Sequence, residues 1–285
     1  MLLLGLWPAD SKADTWDLPH DSTNHSENGQ FQFFVAIGSA QSHNEARGTL
    51  SRKSSDNWEG VWTNRLVNQV SPASVCMADS GRYVVTFDEH GAVGQNPVVI
   101  YGEDGRLIAN LTLSDLKLLN YSKISRSVSS YWWDEYAVII FGPTTKSDGE
   151  PWERTLEDSL FIRLHWGEVI QIDLASGKVR DTAWWESLPP ASATALKGAV
   201  NTYLDSTWQR LAREYFRKEN FYPDPTYLGM TGLLLVRQLH LHDALPLLKE
   251  IAATERFQSW HAPPLKDRQP SNVHELALAA IAEIE

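Results

Sequence analysis

The chain has 285 residues, 25 Lys and Arg against 36 Asp and Glu, and a formal net charge of −11. Its 42% hydrophobic content, 12 Trp and single Cys exclude a wholly disordered chain, an intramolecular disulfide framework and a Cys-rich zinc site. The acidic balance argues against a nucleic-acid partner, whose phosphates require a basic surface.

The charge is unevenly spread. Residues 1–190 hold 15 Lys and Arg against 25 Asp and Glu, together with 10 of the Trp, whereas residues 191–285 hold 10 against 11. At the start, the apolar run Met1-Leu2-Leu3-Leu4-Gly5-Leu6-Trp7 precedes Ser11-Lys12-Ala13. Small residues at the −3 and −1 places of a cleavage before Asp14 resemble the ending of a secretory signal peptide; an ordinary frayed N-terminus fits the same residues. A basic leader is missing and the apolar core is short, so residues 1–13 are read as a signal-peptide remnant. Export to the periplasm or the extracellular space is the expectation. No other run approaches the ~20 apolar residues of a membrane span. Residues 14–30 are polar and mixed, with His20 and His25, and are read as a flexible arm.

From residue 31 to 190, short apolar runs alternate with Gly, Asp, Asn and Ser, the pattern of strands and turns. Strands are expected at Phe31–Ile37, Gly60–Leu66, Ala73–Met77, Tyr83–Phe87, Pro97–Tyr101 and Arg106–Leu111. Asp79-Ser80-Gly81 and Glu103-Asp104-Gly105 supply tight turns, because Gly accepts positive φ without a Cβ clash. A short helix is expected at Ser114–Leu119, with Ser114 as N-cap. A loop is expected at Gly142–Glu157. The run Val169 to Val179 reads as two strands around a turn at Gly177.

Four short antiparallel strands in about 40 residues is the size of one propeller blade. The words Met77-Ala78-Asp79-Ser80-Gly81-Arg82-Tyr83-Val84-Val85-Thr86 and Val169-Ile170-Gln171-Ile172-Asp173-Leu174-Ala175-Ser176-Gly177-Lys178-Val179 resemble blades of the WD and YVTN-type propellers. Residues 58–181, with Asn64 to Asn68, Gly81 to Asp88, Val98 to Tyr101 and Ser127 to Ser130, are also similar to blocks in uncharacterised bacterial secreted proteins. That resemblance implies a related fold and export, and no activity. At about 40 residues per blade, the region is too short for a complete ring. Two or three blade-like antiparallel meanders, as an incomplete propeller or a sandwich-like assembly, are expected.

The Pro-rich segment Leu188-Pro189-Pro190-Ala191-Ser192 separates this β domain from a helical unit, residues 191–285. Leu196, Val200, Tyr203, Trp208, Leu211 and Tyr215 follow helical spacing toward Asn220. Further helices are expected at Thr226–His240, from His242 or Asp243 to Thr254 with Asp243 as cap, and at Val273–Ile284 with Ser271 or Asn272 as cap. Leu235 to Leu239, Asp243-Ala244-Leu245-Pro246-Leu247-Leu248-Lys249 and Leu276 to Ile281 resemble a HEAT-type repeat; a plain three- or four-helix bundle fits the same spacing. The fold class expected is therefore α+β.

Two clusters carry the candidate chemistry. In Asp88-Glu89-His90, a continuing strand would turn Asp88 and His90 to one side, where a carboxylate and an imidazole suit an acid–base pair or part of a metal site; a turn-capping loop explains the same residues. Trp132-Trp133-Asp134-Glu135 puts indoles beside carboxylates, a combination that suits sugar stacking or a peptide groove and equally a packed core. Cys76 reads as a buried small hydrophobe, and no hydrolase elbow, zincin, P-loop or dinucleotide motif is present. No cofactor or metal is implied. The leading expectation is an exported, non-catalytic module that binds a protein or glycan in a groove between its β and helical parts. The alternative is a hydrolase or metal-dependent enzyme centred on Asp88 and His90.

Overall fold

A computed structural model of the chain describes residues 18–38, 45–55, 57–124, 132–133, 136–144, 151–180, 190–260 and 272–285. Residues 1–13, read above as a signal-peptide remnant, and the positions Asp134 and Glu135 lie outside the described residues.

Strand runs interrupted by turn residues give three consecutive antiparallel meanders of four strands each. The first holds β1 (Ser22–His25), β2 (Phe31–Ala36), β3 (Arg47–Ser54) and β4 (Asn57–Arg65). The second holds β5 (Pro72–Met77), β6 (Val84–Glu89), β7 (Val98–Tyr101) and β8 (Leu107–Leu111). The third holds β9 (Val138–Phe141), β10 (Ser159–Arg163), β11 (Val169–Asp173) and β12 (Lys178–Arg180). The helices α2 (Pro190–Tyr215), α3 (Tyr227–Gln238), α4 (Leu245–Ala252) and α5 (Val273–Ile284) follow. A short helix, α1 (Pro151–Glu157), precedes β10. This is an α+β fold of blade-like meanders followed by helices. Among the described residues no helix is long and apolar enough to cross a membrane.

The sheets stack face to face because side chains alternate across a strand. Phe31, Phe33, Val35, Leu50 and Trp62 of the first sheet pack on Met77, Val84, Val99 and Tyr101 of the second. The opposite face of the second sheet presents Val85, Phe87, Val98 and Ile100 to Leu160, Ile162, Ile170 and Ile172 of the third. β6 and β7 are thus buried on both faces, which explains why Val-Val-Thr-Phe and Val-Val-Ile-Tyr read as continuous runs. The third sheet turns Phe161 and Val138 toward Leu196, Val200, Trp208 and Leu233 of the helices. Gln238 of α3 ties this last interface, accepting from Arg163 Nε at 2.9 Å and donating to the His165 carbonyl at 2.6 Å.

The same joint recurs between neighbouring sheets. Gly105, in the β7–β8 turn, has φ +76°, and a Cβ there would meet Asn64 and Trp62 of β4 at 2.4 and 2.6 Å. Gly177, in the β11–β12 turn, has φ +68°, and a Cβ there would meet the Ala109 Cβ of β8 at 2.3 Å. Each glycine supplies both the turn and the close approach to the preceding sheet's last strand. At the other end, the Asn28 amide donates to Asp79 Oδ1 at 2.9 Å, and the Tyr83 hydroxyl donates to Asp158 Oδ1 at 2.9 Å. Each acceptor belongs to the connection between the first two strands of the next sheet.

Several sequence expectations need correction. Ser22–His25, placed in the flexible arm, pairs with β2 as an edge strand. Ser114–Leu119 is not a helix: Asp115 Oδ2 accepts from the Thr112 amide and hydroxyl at 2.8 and 2.6 Å, Ser114 Oγ meets the Thr112 hydroxyl, and Lys117 has φ +52°. Such local side-chain bonds compete with helix formation. The expected loop Gly142–Glu157 ends in α1, whose leading Pro151 suits a first helical position. Pro190 to Ser192, read as connector, are the first residues of α2 for the same reason. Asp243 does not cap α4; it lies in a 3-10 turn before it and pairs with Arg213 at 2.8 Å. The caps on α3 and α5 are Thr226, accepting from the Gly229 amide at 3.1 Å, and Asn272, accepting from the Glu275 amide at 2.9 Å.

Candidate functional site

Asp88 and Glu89 close β6 and are 1% and 4% exposed. Asp88 has φ +48°, and β6 ends at Glu89. The strand alternation that would have put Asp88 and His90 on one side is therefore broken at its first member. The Asp88 carboxylate accepts from the Gly94 amide at 2.8 Å and the Trp132 amide at 3.2 Å, and its carbonyl accepts from Asn68 Nδ2 at 2.8 Å. Burial pushes its pKa up to about 7, although the Trp132 and Gly94 amides pull it down. Glu89 accepts from the amides of Gln69, Val70 and Ser71 at 2.8, 2.7 and 3.3 Å. Together the two carboxylates fasten three segments: the connection from β4 to β5, the β6–β7 loop, and the approach to β9. The half-buried His90 donates its amide to the Ser71 carbonyl at 2.8 Å.

Asp88 and Trp132 do meet, but in the core. Trp132 is 0% exposed, donates its indole N–H to the Pro97 carbonyl at 2.8 Å, and packs edge-on to Trp133. Trp133 in turn lies 5.2 Å from the Phe87 ring. These indoles fill the space between the second and third sheets and present no open stacking surface. Among the described residues, no group of three or more His, Cys, Asp or Glu side chains is placed to hold a metal ion.

An open cleft lies elsewhere. The first strands of the three sheets run along one side of the stack, and α2 passes across them. Between them is a cavity of about 300 Å³, lined by His25 and Glu27, by Val75, Cys76 and Met77 of β5, by Ile139 to Phe141 of β9, and by Tyr203, Thr207 and Arg210 of α2. Asp79 and Thr144 stand at its wall as well. Tyr203, Thr207 and Arg210 recur at helical spacing, so one face of α2 supplies all three. The Tyr203 hydroxyl donates to the Phe141 carbonyl at 2.6 Å, which pins α2 to β9, and burial pushes its pKa up. Arg210 reaches Glu214 at 3.0 Å and Glu27 at 3.6 Å, linking α2 to the β1–β2 turn. The Cys76 thiol is held neutral by burial, which pushes its pKa far up; as a neutral thiol it is a poor nucleophile.

Of the sequence-predicted residues, the described ones, Asp88, His90, Trp132 and Trp133, do not line this cleft. Its own residues carried a usable signal in one case only, the i, i+4, i+7 spacing of Tyr203, Thr207 and Arg210. His25 and Glu27 belong to the segment read as an arm, and Asp79 reads simply as a turn residue. No protein-family model matches the chain, and no curated protein is significantly similar to it.

Proposed function

We propose that this protein is an exported, non-catalytic binding module that takes a protein or glycan segment into the cleft between its first strands and α2. The observation that carries this reading is the cleft's construction. All three sheets and the long helix meet there, and it sets the polar groups of His25, Glu27, Asp79, Thr207 and Arg210 beside an apolar floor of Val75, Met77, Ile139 and Ile140. A concave site that sets a few placed polar groups beside apolar wall is a usual form of a binding pocket. Several of those groups hold each other or the scaffold: Glu27 pairs with Arg210, and Asp79 accepts from Asn28. The carboxylate at Asp88 serves backbone amides in the core. These commitments favour recognition over turnover. On the same reading the sheets are propeller-type blades, the helices after α2 are a HEAT-like cap, and the leader at Met1–Trp7 directs export.

The test uses purified full-length protein on arrays of immobilised peptides and immobilised oligosaccharides, alongside Thr144→Trp, which obstructs the cleft from an exposed position. Retention by the wild type that falls at least 10-fold in Thr144→Trp is the expected result. Equal retention by both, or none by the wild type, overturns it. So does substrate turnover that disappears in Asp88→Ala or His90→Ala. Cell fractionation and N-terminal sequencing check export, with cleavage before Asp14 expected and an uncleaved cytoplasmic chain as the contrary result.

A further inference from the structure

β5 is the first strand of its sheet and pairs only with β6 among the described strands. In an antiparallel ladder, the N–H and C=O of alternate residues point to the same side. The Ala78 amide donates to the Tyr83 carbonyl at 3.0 Å, so Ala78 faces β6. Cys76 and Ser74 therefore face β6 too, and the backbone groups of Met77 and Val75 face away. Val75, Cys76 and Met77 all line the cleft, so the cleft receives this outward row. Among the described residues no backbone group bonds to it. The parallel case at β9 shows that such a row is available for use. The Gly142 amide donates to the Ser159 carbonyl at 2.8 Å, which turns Phe141 away from β10, and the Phe141 carbonyl is the one that takes the Tyr203 hydroxyl.

We propose that the cleft binds an extended peptide carrying Lys or Arg, which adds to β5 as a further strand of the second sheet, with its basic side chains directed to Glu27 and Asp79. This rests on the cleft being the binding site and names its ligand class. Three features favour a peptide over a glycan. The outward groups of Val75 and Met77 are two residues apart, about 7 Å, which is the repeat of an opposing strand. Strand addition draws affinity from main-chain hydrogen bonds and specificity from pockets for alternate side chains. The cavity of about 300 Å³ has room for a few residues of chain. Charge is complementary: Glu27 and Asp79 outnumber Arg210 along the lining, in a chain of net charge −11.

The probe is a fluorescein-labelled hexapeptide, Val-Lys-Val-Lys-Val-Lys, blocked at its C-terminus and titrated into the full-length protein by polarisation. Saturable binding is expected, at least 10-fold stronger than for the Val-Glu-Val-Glu-Val-Glu counterpart. Methylating the amides of one alternate set should abolish it, and methylating the other set should leave it within 3-fold. The protein variant is Val75→Pro, which removes an outward N–H while leaving the β6 ladder its donors; Pro is tolerated on an edge strand in that orientation. Val75→Pro should lose at least 10-fold in affinity while its circular dichroism and melting profile stay native. If Val75→Pro melts early, the paired methylated peptides on wild-type protein decide alone. Equal loss from both methylation sets, or no dependence on either, overturns the proposal. Retained oligosaccharide without saturable peptide binding also overturns it, but leaves the cleft as binding site intact. Binding of neither class removes both.

Discussion

The carboxylates at the end of β6 and those at the cleft are the same chemical groups in opposite settings. Asp88 and Glu89 are almost fully enclosed, and backbone amides occupy their oxygens. Glu27 keeps 79% of its side chain exposed and meets Arg210 at 3.6 Å across open space. A buried carboxylate must have its hydrogen-bonding capacity filled, because an unfilled one costs several kcal/mol. Filling it consumes what a ligand would otherwise use. Acidity near a loop therefore marks a clamp in one place and a docking wall in the other, and burial separates the two.

The contrast is broken most forcefully by pH. Asp88 has a folded pKa near 7, against 3.8 for the free group. A raised pKa means that the folded state holds the proton more tightly. The stability this contributes is fully present below pH 4 and is lost as pH rises through 7. Its ceiling is on the order of 4 kcal/mol, from 1.36 kcal/mol per pKa unit. Asp88→Asn cannot titrate there. Urea unfolding of both proteins from pH 4 to 8 should show the wild type losing stability relative to Asp88→Asn as pH rises. Parallel curves would show that the carboxylate is not the buried, raised group described here.

Glu89→Ala comes next. It leaves the amides of Gln69, Val70 and Ser71 without their acceptor in a partly buried turn. A loss of about 3 kcal/mol is expected in urea unfolding at pH 7, since each unsatisfied buried donor costs about 1–3 kcal/mol and water relieves part of it. A change below about 0.5 kcal/mol, the level of an ordinary surface substitution, would place Glu89 with the cleft carboxylates instead.

Gly177→Ala carries the comparison to the joints between sheets. The added Cβ meets Ala109 at 2.3 Å on a backbone with φ +68°. Overpacking and an unfavourable φ together predict a cost of about 2 kcal/mol. Gly91 has φ +76° but open space around a Cβ, so Gly91→Ala should cost about 1 kcal/mol, the backbone term alone. Equal effects at the two positions would mean that the sheet contact adds nothing to the turn.

How far the sequence disclosed this organisation follows from burial. The second sheet was legible strand by strand because both its faces are covered, and apolar runs such as Val98–Tyr101 follow directly. The first sheet is covered on one face only. β3, with Arg47, Thr49, Arg52 and Lys53 in eight residues, has too little apolar alternation to declare itself. β1 carries none, and its pairing with β2 is visible only in three dimensions. Of the cap candidates read from the sequence, Asn272 caps α5, while Ser114 and Asp243 cap nothing, because local side-chain bonds and an ion pair claim them instead. The cleft was not, since His25, Asp79 and Arg210 are brought together only by the stacking of sheets and helix. Asp88, Trp132 and Trp133 stood out by residue type, which does not distinguish core from surface.

The smallest expected effect on stability belongs to Arg210, a residue of the cleft's wall. Arg210 and Glu27 are 52% and 79% exposed, and the Arg210–Glu214 pair is an exposed i, i+4 contact on a helix. Pairs of that kind contribute about 0.3–0.5 kcal/mol, and many exposed pairs contribute nothing measurable. Arg210→Ala should therefore unfold within about 0.5 kcal/mol of the wild type. Because it removes a cation from a lining that also holds Glu27 and Asp79, it should also strengthen attraction for the basic hexapeptide and increase the salt-screened repulsion of the acidic one. Affinity for Val-Lys-Val-Lys-Val-Lys rising severalfold in Arg210→Ala, with unchanged unfolding, would separate the cleft from the Asp88–Glu89 clamp on both axes at once. A loss of more than about 2 kcal/mol, which exceeds an exposed pair, would instead make the link from α2 to the β1–β2 turn a structural joint, and the cleft's polar rim a second clamp.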